Sequence, residues 1–196
     1  MKPRDLHIEW MSLHDSEEAL SDKPNDERWE LIGGRLIRFK FGARWEHHRV
    51  IANIDRGIDN HLRDRRMPCR TFRETFWLKD KRQDLVVFPD IIVHCGALML
   101  GQTSVEDPVV LIEVISRGSG FRDRLEKRAA YEKLPPLAHI VLVATDHHDV
   151  EVLSREEDGS WTSRRSEGPD AAFALPAISF AMPLADVFRD VLDQAG

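Results

Sequence analysis

A carboxylate sits in the middle of the most buriable stretch of this chain. Val109-Val110-Leu111-Ile112-Glu113-Val114-Ile115-Ser116 is short, rich in β-branched residues, and bounded by Asp107-Pro108 before it and by glycine and serine after it. That composition reads as a strand. Both alternating faces are apolar, the pattern of a central strand covered on both sides. An ionised carboxylate at Glu113 would be costly to bury alone, so it must be paired, hydrogen-bonded, protonated or bound to a cation. A structural pairing with Arg or Lys and a place in a metal site are both open from this segment alone.

The surrounding pattern alternates strands with helices. Trp29 to Ile32 and Arg35 to Phe39 flank Gly33-Gly34, a pair able to supply the positive φ angles of a tight hairpin turn. Glu30 lies on the first hairpin strand. From Trp45 to Arg66 the period becomes helical, with Val50, Ile51, Ile54, Ile58 and Leu62 as the apolar stripe and His47 near the start. Strands are expected over Cys69 to Leu78 and over Leu85 to His94, the second bent at Phe88-Pro89-Asp90, where proline re-aims the next side chain. A helix is expected from Phe121 to Leu134, paired strands over Ala138 to Ala144 and Val150 to Ser154, a further strand at Trp161 to Ser166, and a closing helix from Pro183 to Leu192. Residues 1–26 read as an N-terminal arm and residues 27–196 as one domain, of α/β class.

No apolar run approaches the roughly 20 residues that span a bilayer, and no secretory h-region precedes residue 20. Cys69 and Cys95 match no metal-ligand spacing, so reduced thiols and a cytoplasmic location are expected. The formal charge of −6 weighs against a polyanionic partner. Its distribution weighs the other way. Residues 35–82 hold 14 Lys/Arg against 6 Asp/Glu, and the remainder holds 14 against 28.

Asp90 and Glu113 fall in successive strands. If these are neighbours, both carboxylates can reach one spot, and a divalent cation would relieve their repulsion. Asp123, Lys127 and Tyr131 are spaced to share one helix face. Spacing alone favours an ordinary Asp123–Lys127 pair on a solvated face. A Lys127 ammonium brought beside two metal-binding carboxylates would instead suit phosphodiester hydrolysis.

These segments, with Glu46-His47-His48-Arg49-Val50, Pro89-Asp90-Ile91-Ile92-Val93, Ile112-Glu113-Val114-Ile115-Ser116 and Arg122-Asp123-Arg124-Leu125-Glu126-Lys127, resemble the PD-(D/E)XK nuclease superfamily. More closely, their order resembles the Uma-two family of restriction endonucleases, over about residues 27 to 190. The resemblance implies a restriction-endonuclease-like core, a mixed central β-sheet flanked by helices, with the N-terminal β-hairpin alongside. It implies Mg²⁺ or Mn²⁺ between Asp90 and Glu113, DNA as substrate, and a homodimer as a plausible assembly. In the superfamily pattern a lysine follows the second acid by two residues. Ile115 stands there, and Lys127 is the substitute that the family suggests. Glu30 is a further candidate ligand, and His47 a candidate to bind phosphate or relay a proton. Asp123, Tyr131 and Ser116 are candidate supports. Two departures, Gly33 in place of an acid and Arg117-Gly118-Ser119 in place of Pro-Ser-Thr, spare both metal acids. The competing expectation, motivated by Ile115, is a non-cleaving nucleic-acid-binding or assembly protein on a nuclease scaffold.

Overall fold

The Glu113 strand does lie inside a sheet with both faces covered. The computed structural model describes residues 9–21, 27–40, 44–115 and 121–192. Its strands are β1 (Glu9–Trp10), β2 (Glu27–Ile32), β3 (Arg35–Lys40), β4 (Arg70–Arg73), β5 (Trp77–Asp80), β6 (Leu85–Val87), β7 (Ile91–His94), β8 (Ser104–Val105), β9 (Pro108–Ile115), β10 (His139–Ala144), β11 (Asp149–Arg155), β12 (Trp161–Glu167), β13 (Ala172–Leu175) and β14 (Phe180–Pro183). The helices are α1 (Leu13–Ser21), α2 (Trp45–Asp64), α3 (Phe121–Tyr131) and α4 (Leu184–Val187).

Two mixed six-stranded sheets form the body. The central one runs β12-β11-β10-β9-β7-β4, with β9 parallel to β10 and antiparallel to β7. The other runs β1-β3-β2-β6-β5-β8. Alternation along β9 sends Val110, Ile112 and Val114 into a core shared with α2, α4 and the β13–β14 ribbon. Leu111 points the other way, into a core shared with the second sheet and the end of α3. Glu113 belongs to the Leu111 face, since side chains two apart on a strand share a side.

The long helix follows the sequence closely. Val50, Ile51, Ile54, Ile58 and Leu62 are all buried on α2. Gly57 lets this helix approach the ribbon, since a Cβ there would sit 3.3 Å from the Met182 sulfur. The hairpin is also as expected. Gly33 and Gly34 take φ angles of 58° and 79°, which lets β2 turn into β3 in two residues. Segment 9–21 packs onto this sheet: β1 pairs with β3, and Leu13 and Leu20 are buried with Leu31 and Val86.

Several expectations are corrected. The stretch from Leu85 to His94 is not one bent strand. Phe88-Pro89-Asp90 carries the chain out of β6 in one sheet and into β7 in the other. Cys69 to Leu78 also divides, because Glu74 and Thr75 turn the chain, with Phe72 and Phe76 stacking across the turn at 4.1 Å. The closing helix is only α4, one turn, held by the Asn53 side-chain amide donating to the Val187 and Arg189 carbonyls. The cysteines, expected as reduced thiols, are joined in a Cys69–Cys95 disulfide. The cause is register: β4 pairs with β7 so that Arg70 faces His94, and one step further Cys69 faces Cys95. Spacing along the chain carries no trace of that pairing.

Helix α3 is fixed along its middle and at its C-terminal end. Arg155 donates to the carbonyls of Glu132, Leu134 and Leu137 beyond its C-terminus. The Gln83 amide reaches the Ala130 carbonyl, and Arg35 of the hairpin pairs with Glu126. These contacts aim its inner face at the end of β9. Among the described residues, no helix is long and apolar enough to cross a membrane.

Candidate active site

Pairing of β7 with β9 sets Ile91 opposite Ile112. Extended by one pair, this register puts Asp90 opposite Glu113. Directly opposed residues of an antiparallel pair share a face, with Cβ atoms about 5 Å apart. Asp90 is locked there, because the Val114 backbone N–H donates to its Oδ2 at 2.7 Å. The two acids therefore meet at the edge where β7 begins and β9 ends.

Three other elements close on this spot. Glu30, fully buried on β2, accepts from the Phe88 N–H at 3.2 Å. The Lys127 ammonium of α3 donates to Glu30 Oε1 at 3.1 Å and lies 2.9 Å from Oε2. It also stands 3.6 Å from Glu113 Oε1. Tyr131, one turn further along, donates its hydroxyl to the same Glu113 oxygen at 2.6 Å. From α2, His47 Nε2 comes within 3.4 Å of Asp90 Oδ1. Arg28 lies 3.4 Å from Glu30 and rests over the Phe88 ring.

The electrostatics follow from this crowding. Burial pushes the Glu113 carboxyl up to about 7, opposed by the Lys127 charge and reinforced by the Asp90 and Glu30 carboxylates. Burial also works against the Lys127 ammonium, yet Glu113 and Glu30 outweigh it and hold that group above its ordinary range. Lys127 is thus a fixed cation and a hydrogen-bond donor. Burial and the same two carboxylates keep the Tyr131 phenol protonated, well above its usual range. Burial lowers His47, but the Asp90 hydrogen bond and the charges of Asp90, Glu74 and Glu113 leave it raised overall.

Of the residues singled out in the sequence, Glu30, His47, Asp90, Glu113, Lys127 and Tyr131 converge. Ser116 and the Asp123 side chain lie outside the described residues. Glu74 was missed. It turns the chain after β4, and one carboxylate oxygen of it lies within 4.8 Å of a ligand atom of both His47 and Asp90, a group able to hold a metal ion. The Glu74-Thr75 polar pair, interrupting the Phe72/Phe76/Leu78 alternation, was the available signal. Arg28 was missed too, and nothing in its spacing marks it.

The donor chemistry at Asp90 and Glu113 fits a hard divalent cation: carboxylate oxygens at opposed positions, with backbone and tyrosine hydrogen bonds orienting them.

This mixed sheet flanked by helices is a fold shared with a solved structure and with a described family. The chain superposes on the crystal structure of "a putative nuclease belonging to DUF820" from Anabaena variabilis ATCC 29413 with a TM-score of 0.73, over 93% of this chain and 99% of that one, at 18% identity. A family model described as "Uma2: Putative restriction endonuclease" matches residues 13–185, and the chain belongs to that family. It is also 24% identical over 148 residues, 74% of this chain and 82% of the relative, to "Uncharacterized protein sll1609" of Synechocystis sp..

Proposed function

We propose that this protein is a divalent-metal-dependent endonuclease that hydrolyses phosphodiester bonds of DNA. The observation that carries the reading is the Lys127 ammonium of α3 standing 3.6 Å from Glu113, whose neighbour Val114 holds Asp90 through its backbone N–H. Asp90 and Glu113 would hold Mg²⁺ or Mn²⁺. Bound there, the ion would polarise a phosphate oxygen and acidify a coordinated water.

The chain's own groups would do the rest. Lys127, permanently charged, orients the attacking water and offsets charge developing on the phosphorus oxygens. It takes the place that Ile115 leaves empty of a lysine. Glu30 holds Lys127 in position. Tyr131 fixes the Glu113 carboxylate rotamer. His47, beside Asp90, faces the same spot and suits contact with a phosphate oxygen or relay of a proton wherever no cation occupies its side. In the net step one P–O bond forms to water oxygen and one P–O ester bond breaks, the leaving oxygen taking up a proton. The basic balance of residues 35–82 supports a polyanionic substrate. A two-fold dimer acting on both strands of a duplex belongs to the same reading.

The test is a cleavage assay on supercoiled, linear duplex and single-stranded DNA with Mg²⁺ or Mn²⁺, comparing wild type with Asp90→Ala. Metal-dependent cleavage by the wild type that disappears in the variant is the expected result. Equal cleavage by both would overturn the assignment. Salt-sensitive DNA binding with no product under any metal would favour the non-cleaving scaffold that Ile115 suggests.

A further inference from the structure

A third acid approaches the first two from the turn that follows β4. In the β4–β7 pairing Arg73 faces Ile91. One residue on, Glu74 leaves the strand in a turn, with a φ of 42°, and its carboxylate comes within 4.8 Å of a ligand atom of Asp90. Since β4 and β9 flank β7, Glu74 and Glu113 approach Asp90 from opposite sides. Neighbouring strands lie about 4.8 Å apart, so two cations seated on either side of Asp90 would be close to the roughly 3.5–4 Å separation of two-metal hydrolytic sites.

The two gaps are not alike. The Asp90–Glu113 gap is lined by oxygen donors, with Lys127 and Tyr131 over it. The Glu74–Asp90 gap receives an imidazole: atoms of His47, Glu74 and Asp90 all lie within 4.8 Å of one another. Glu74 is further oriented by His48, whose Nδ1 lies 3.2 Å from its Oε1, as a group behind a metal ligand would be. Glu74 is partly exposed, so its gap is open to solvent.

We infer that His47, Glu74 and Asp90 form a second cation position, with Asp90 bridging to the first. Its single nitrogen and two carboxylates suit Mn²⁺ or another first-row divalent ion better than Mg²⁺, which prefers oxygen alone. The inference extends the nuclease reading, resting on it only through the shared Asp90.

Calorimetry and Mn²⁺ paramagnetic resonance on the full chain separate the two positions without any activity readout. Wild type is expected to bind two Mn²⁺ per chain. Glu74→Gln and His47→Asn should each leave one tight Mn²⁺ and weaken the other by about tenfold or more, with Mg²⁺ affinity little changed. Glu113→Gln should show the converse, and Asp90→Asn should impair both. Thermal melts confirm that each variant folds, and the partly exposed Glu74 makes its variant the secure one. One Mn²⁺ per chain, or two that Glu74→Gln and His47→Asn leave unaltered, would overturn the second position. Loss of only the Glu113-dependent ion from the expected pattern would instead count against the nuclease reading.

Discussion

Replacing Lys127 with Met is expected to destabilise the protein by about 3–5 kcal/mol at pH 8, the magnitude for removing one partner of a buried ion pair. Lys127 is largely buried and is the ammonium between Glu30 and Glu113, and Glu30 is sealed from solvent. Methionine fills similar volume, so packing changes little and the loss is electrostatic. The deficit should shrink on acidification. Glu113 titrates near 7 even with Lys127 present; without that cation it moves higher, so by pH 5.5 it is neutral and needs no partner. A second change, Glu30→Gln, should restore much of the stability by removing the other stranded charge. Urea unfolding at pH 8 and 5.5 reads all three effects. A Lys127→Met deficit below about 1 kcal/mol at pH 8 would mean that the ammonium is not the counter-charge of this cluster.

Glu113→Gln is expected to separate stability from activity. The folded carboxyl titrates near 7 against an ordinary 4.5. Between those values the native state binds more protons than the unfolded chain, so this group's contribution to stability falls as pH rises from about 4.5 to 7 and then stays level. Glutamine keeps an acceptor for Tyr131 and abolishes that titration. The metal-free variant should therefore be at least as stable as wild type at pH 8, with a flatter stability profile from pH 5 to 7. Its Mg²⁺-dependent cleavage should nevertheless fall by at least about 10²–10³-fold, the scale of losing one preorganised electrostatic group. Paired denaturation and cleavage measurements check both halves. A variant that cleaves like wild type removes Glu113 from the chemistry; one that unfolds at pH 8 makes its charge structural.

Much of this was legible in the sequence because the relevant signals are local. The β9 run, the α2 stripe and the Gly33-Gly34 turn each declare themselves within a few residues, and each is found in the structure. Glu113 was conspicuous because a charge inside such a run demands a partner. What stayed hidden is set by register and by the crossing of sheets. Cys69 meets Cys95 through β4–β7 pairing, and Glu74 meets Asp90 through the turn that follows β4, neither of which a short window encodes. The passage from β6 to β7 looked like a bend because an apolar run interrupted by proline reads the same within one sheet or between two. Lys127 was legible only through family resemblance, since its spacing to Asp123 suggested an ordinary surface pair. The structure turns it inward to Glu30 instead.

The central claim is that Asp90 and Glu113 grip a common cation, and an anomalous-scattering map from crystals soaked in Mn²⁺ tests it most directly. The account predicts a peak within coordination distance of one carboxylate oxygen from each residue, absent in Asp90→Asn crystals. An empty map between them, with Lys127 still seated against Glu113 and Glu30, would show that the lysine alone satisfies the buried acids, and the catalytic proposal would fall.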